Sequence, residues 1–84
     1  ELYTTQLQTA LALAMTGKKD FASAKTALDK AMMLSKEKYA FAFEVAGDFF
    51  TAQGDTANAN TMYQKSKELG NLNKSLTQKW QPVK

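Results

Sequence analysis

The 84-residue chain contains no cysteine, no histidine and no arginine, and only one proline and one tryptophan. Without cysteine it has no disulfide, thiolate ligand or thiol nucleophile. It suits a reducing or an oxidising compartment equally, so cytoplasm and periplasm both stay open. Without histidine it lacks the side chain that acts as a base near neutral pH and commonly ligates zinc. It also has no phosphate-cradling glycine-rich loop and no serine set in a strand-to-helix turn. Asp, Glu and Lys are the remaining chemistry, and the closest carboxylate pair, Glu44 with Asp48, would need a desolvating pocket before either group worked as an acid or base. The expectation is a non-enzymatic chain with no cofactor, no metal and no small-molecule substrate. No apolar run approaches the roughly 20 residues that cross a bilayer, so a soluble chain with no membrane span is expected.

The missing arginine also bears on nucleic acid. All eleven cationic side chains are lysine, against eight carboxylates, for a net charge of +3. The planar guanidinium that reads guanine edges and grips phosphate bidentately is absent. Six lysines fall between Gly17 and Lys38, whereas Tyr39 to Asp55 holds Glu44, Asp48 and Asp55 and no lysine. Dispersed lysine keeps a small domain soluble, so nucleic acid is not an expected partner. The alternative is an electrostatic surface for anionic ligands built on Lys18, Lys19, Lys25 and Lys36, and its signature would be tight binding that collapses with salt.

What is present is helical periodicity. Leu7, Leu11, Ala14 and Met15 follow the three-and-four spacing of a helix face over Leu2 to Thr16, and Gly17 is expected to stop that helix. Asp20 is placed to cap a second helix, which runs to about Leu34 with Phe21, Ala24, Leu28, Ala31 and Leu34 on its apolar stripe. A third helix is expected from about Glu37 to Ala52, ending at Gly54. A fourth, capped by Asp55, runs through Ala59, Met62, Tyr63 and Ser66 to Leu69. A fifth spans Asn73 to Trp80, with Leu72, Leu76 and Trp80 four residues apart and Pro82 beyond its end. No strand is expected.

The chain also repeats itself. A shift of thirty-five residues carries Thr16, Asp20, Ala22, Ala24, Thr26, Lys30 and Leu34 onto Thr51, Asp55, Ala57, Ala59, Thr61, Lys65 and Leu69. A period in this range signals stacked supersecondary units, each burying its apolar face on its neighbour. Small residues fall where adjacent helices must approach to about 8 to 10 Å, Ala12 with Ala24 and Gly47 with Ala59. Bulkier ones fill in around them: Leu11, Met15, Phe21 and Leu28 in one unit, Phe43, Phe50 and Tyr63 in the other.

These positions resemble the tetratricopeptide repeat family. The second unit resembles the family motif through Phe43, Ala46, Gly47, Phe50, Gly54, Asp55, Ala59, Tyr63 and Leu69. The first does so through Leu11, Ala12, Met15, Asp20, Phe21, Ala24, Leu28, Ala31 and Leu34. Gln8, Thr56 and Ser66 depart from the pattern, and neither unit closes with proline. The resemblance implies an all-α right-handed superhelical stack of antiparallel hairpins with five helices. The whole of 1–84 then forms one domain: repeat 1 over about 5–38, repeat 2 over about 40–71 and a capping helix over about 72–81, read as a fragment of a larger protein.

The resemblance further implies a protein–protein interaction module that binds a peptide or helix on the concave face lined by the first helix of each unit, or that mediates assembly of its parent protein. The residues placed there are Gln6, Thr9, Ala10, Leu13 and Thr16, then Phe41, Glu44, Val45, Asp48 and Thr51. The carboxylate clamp of the family would need Lys and Asn where Thr9, Leu13 and Val45 stand, so no such clamp is expected. The partner-binding set is Thr9, Leu13, Phe41, Glu44, Val45 and Asp48, with a basic amphipathic segment as the partner. Two units fall short of the three that usually make a stable stack. Either a neighbour covers Leu2, Tyr3 and Leu7, or two copies form a homodimer through the N-terminal helix.

Overall fold

A computed structural model describes residues 2–71 of the chain, with side chains from residue 4 onwards. The described residues form four α-helices and no strands: α1 (Leu2–Gly17), α2 (Phe21–Ser35), α3 (Ala40–Ala52) and α4 (Thr56–Glu68). The expected fifth helix and cap, 72–81, lie outside the described residues.

The caps are the ones the carboxylates predict. Asp20 accepts from the Ser23 backbone N–H and Asp55 from that of Asn58, each at 3.2 Å. Asn58 adds a second bond, its Nδ2 donating to Asp55 Oδ2 at 2.6 Å. In this way one orphan amide of each helix start is satisfied.

The helix ends share a different device. The backbone N–H of Asp20 reaches back to the carbonyl of Met15, Glu37 to Met32, Asp55 to Phe50 and Asn71 to Ser66. This six-to-one bond closes a helix when a residue near its end turns left-handed. Gly54 and Gly70 take that conformation after α3 and α4, but Lys19 takes it after α1 and Lys36 and Glu37 after α2. Gly17 is therefore not the stop expected of it; it is the last residue of α1 and the reversal comes at Lys19. For the same reason α3 starts at Ala40 rather than Glu37, because two successive left-handed residues cannot begin a right-handed helix.

Packing joins the helices as two hairpins, α1 on α2 and α3 on α4, with α3 also lying against both helices of the first hairpin. Small residues make the close contacts: Ala12, Ala24, Ala31 and Ala42 are inaccessible to solvent, with Ala27 and Ala59 nearly so. A Cβ on Gly47 would fall inside the ring of Tyr63, so α4 approaches α3 there only because the side chain is missing. Between the hairpins, Ala12, Ala24, Ala27 and Leu28 form one cluster with Val45, Ala46 and Phe49. The Phe21 and Phe49 rings meet edge to face at 5.9 Å.

The inward face of α1 differs from the expected one. Its buried stripe is Thr5, Thr9, Ala12 and Thr16, whereas Leu7 and Leu11 are 54% and 45% exposed and Ala14 is exposed. Hydropathy favours the leucines, but the threonines are small and carry their own polar solution. Thr9 Oγ1 donates to the Thr5 carbonyl and Thr16 Oγ1 to that of Ala12, both at 2.8 Å. Each of these two buried hydroxyls is thus satisfied within its own helix, and the methyl faces the core. Leu11, expected to fill the first unit, is largely outside it.

Candidate functional site

Shifted by one repeat, Gln6 and Leu13 of α1 correspond to Phe41 and Asp48 of α3. α1 and α3 lie against each other, and these four equivalent positions define a candidate strip across the two hairpins. Leu13 is 42% exposed, Gln6 is exposed, and Phe41 and Asp48 are half-buried. Phe41 rests on the inter-hairpin cluster and meets Tyr39 edge to face, ring centres 6.3 Å apart. Its ring is therefore engaged in packing and remains only half-buried.

The remaining expected contact residues lie beneath that strip rather than on it. Thr9 and Val45 are inaccessible and Glu44 is 2% exposed. Thr16 is buried too, while Ala10 and Thr51 are exposed. The correction has a physical cause. Thr9 sits on the stripe of α1 that turns inward, and Val45 on the stripe of α3 that seats on the first hairpin, so neither is available to a ligand.

Glu44 is one repeat beyond Thr9 and follows the same inward course. A carboxylate so buried needs hydrogen-bond donors. Asn71 Nδ2 supplies one, donating to Glu44 Oε1 at 2.8 Å and to Ser66 Oγ at 2.8 Å. Ser66 Oγ in turn donates to the Ala40 carbonyl at 2.6 Å. The chain that leaves α4 is thereby tied to the start and middle of α3. The Ser66 hydroxyl is what makes the tie.

Asp48 is held from the other side. The Tyr63 hydroxyl donates to Asp48 Oδ1 at 2.7 Å and lies 3.1 Å from Thr51 Oγ1. Having spent its proton on the carboxylate, the phenol accepts from the threonine. The missing Cβ of Gly47 lets the Tyr63 ring cross α3, and that crossing delivers the hydroxyl to Asp48. Glu44 and Asp48, four apart in sequence, consequently face different partners. Among the described residues no group of three or more metal-ligating side chains suits a metal ion.

A second concavity was not expected from the sequence. Leu28 and Met32 of α2, Phe43, Ala46, Phe49 and Phe50 of α3, and Met62 of α4 line a groove of about 300 Å³. The Lys25–Asp29 ion pair and Glu37 stand at its edge. The repeat register assigns Phe43 and Phe50 to the core; Phe43 is buried, but Phe50 is only half-buried and its neighbour Phe49 is the buried ring. The available signal was Met32, Phe50 and Met62, all half-buried and drawn from three different helices. A groove of this size lies at the low end for small-molecule sites and holds about one large side chain.

Among the described residues no helix is long and apolar enough to cross a membrane. The chain matches no protein-family model, no curated protein and no solved structure.

Proposed function

We propose that the chain is a non-catalytic protein-interaction module of the tetratricopeptide-repeat type. Leu13, Phe41 and Asp48 receive an amphipathic segment of another protein that carries Lys or Arg on one side, and Thr9, Val45 and Glu44 form the floor below. The observation that carries this reading is the equivalent register, on two adjacent helices, of exposed Leu13 and half-buried Phe41 with a carboxylate that Tyr63 already orients. A preoriented acceptor loses little freedom when a cation docks, and apolar neighbours supply the contact area. Glu44 accepts from Asn71 and Asp48 from Tyr63, so each carboxylate has a donor of its own.

Selection of a phage-displayed library of random short peptides on the purified chain tests the reading. The expected binders combine bulky apolar residues with Lys or Arg. Leu13→Glu and Asp48→Lys each weaken them by about tenfold or more while circular dichroism stays helical. A library that yields no binder, or binders indifferent to both substitutions, contradicts it. A second docking position, the α2–α3–α4 groove, is favoured by its two methionines, which adapt to varied partners. Loss of binding with Met62→Glu but not with Leu13→Glu would assign the peptide to that groove.

A further inference from the structure

We infer that two copies of this chain associate through the outward face of α1, antiparallel about a two-fold axis passing between Ala10 and Leu11. The face consists of Leu7, Ala10, Leu11 and Ala14, all exposed and set at three-and-four spacing on the side of the helix opposite the buried Thr5, Thr9, Ala12 and Thr16 stripe. One repeat later the same positions are Ala42, Val45, Ala46 and Phe49, and all four are buried. Val45, Ala46 and Phe49 are the residues by which α3 seats on the first hairpin. The outward face of α1 thus stands in register with a surface that, in this same fold, packs helix on helix.

The neighbouring groove points the same way. Gln8, Leu11, Ala22, Ser23, Thr26, Ala27 and Lys30 line a depression of about 320 Å³ between α1 and α2. Three of them, Gln8, Leu11 and Ala27, are the one-repeat counterparts of Phe43, Ala46 and Met62 in the inter-hairpin groove. In the inter-hairpin groove the opposite wall is α2 of the first hairpin; on the outward side of α1 no described helix provides it.

Two features select a second copy as the occupant. First, α1 is the one described helix with no charged residue, in a chain whose net charge is +3. Two like-charged copies meet with least repulsion on the uncharged helix. Second, the face is complementary to itself when reversed. Antiparallel pairing sets Leu7 against Ala14 of the mate and Leu11 against Ala10, large opposite small at every contact, as an isologous interface requires.

The mass of the purified chain in solution, followed by sedimentation over a range of concentrations, tests this. At about 100 µM the wild type should sediment as a dimer, twice the 9.3 kDa of the chain. Leu7→Glu with Leu11→Glu should raise the dissociation constant by about a hundredfold or more with helicity unchanged, since both side chains are exposed. In this cysteine-free chain, Ala10→Cys places a single thiol beside the axis, and mild oxidation should cross-link it efficiently, whereas Lys65→Cys should not. A wild type that stays at 9.3 kDa overturns the proposal and leaves the face to a hairpin of another protein. A dimer that survives both leucine substitutions overturns it as well, by moving the contact to another surface.

Discussion

At Gly47 the absence of a side chain decides how closely α3 and α4 pack and where Asp48 is held. Alanine is the better helix former by about 1 kcal/mol, which alone would stabilise an exposed position. Here a Cβ enters the Tyr63 ring, and that ring is itself buried. Overpacking of this kind costs about 1 to 3 kcal/mol, and displacing the phenol also weakens its bond to Asp48. Gly47→Ala should therefore lower the thermal midpoint by about 5 °C or more, and a midpoint that rises would show that helix propensity wins and the close approach is illusory. Gly47 and its partners Ala12, Ala24 and Ala59 were legible in the sequence because they recur one repeat apart on facing stripes, where only small side chains let two helix axes approach. The threonines of α1 were not. Hydropathy ranks Leu7 and Leu11 above Thr5, Thr9 and Thr16, and only the local hydroxyl-to-carbonyl bonds show why threonine faces the core at so little cost.

Among the helices, the starts capped by Asp20 and Asp55 and the end of α3 at Ala52 were readable, whereas the start of α3 was not. Asp20 and Asp55 cap α2 and α4 as their chemistry requires, but α1 runs past the expected stop at Thr16 through Gly17, and α3 begins three residues after Glu37. The cause is the same in both places: left-handed closing residues that are lysine and glutamate rather than glycine. Side chains of that type carry no signal for the left-handed region, which costs an L-residue about 1 to 2 kcal/mol. Lys19 is the repeat counterpart of Gly54, so the two hairpins use one turn geometry with different chemistry. Lys19→Gly should stabilise the chain by about 0.5 kcal/mol or more after the added freedom of glycine in the unfolded state is discounted, a rise of about 2 to 4 °C in the midpoint. Calorimetry showing a fall would mean that Lys19 makes a compensating contact. The tie among Asn71, Glu44, Ser66 and Ala40 joins the end of α4 to α3, and the Ser66 hydroxyl stands at its centre.

Across the whole molecule, two hairpins stack with α3 wedged against the first pair, and the repeat places chemically different residues at equivalent positions. Leu13 and Asp48 occupy the same register, as do Gln6 and Phe41, so one hairpin presents glutamine and leucine where the next presents phenylalanine and aspartate. Of the expected contact set, Leu13 is exposed and Phe41 and Asp48 are half-buried. The same register could not tell that Thr9, Val45 and Glu44 sit one step round their helices, on stripes that the stack covers. The outward leucines of α1 and the α2–α3–α4 groove were hidden for a related reason, since both depend on which of two apolar stripes a helix turns inward. Charge plays a smaller part at this scale. Lys25 and Asp29 pair on α2 at 3.1 Å with both side chains about two-thirds exposed, a contact worth no more than a few tenths of a kcal/mol.

The most direct test of the interaction surface is nuclear magnetic resonance of the isotope-labelled chain during titration with a library-selected peptide, reading methyl and amide shifts residue by residue. The strip predicts saturable changes concentrated at Leu13, Phe41 and Asp48, with the Tyr63 resonances following Asp48 and the outward α1 leucines unmoved. Saturable changes that leave Leu13 and Asp48 untouched and gather elsewhere would contradict it.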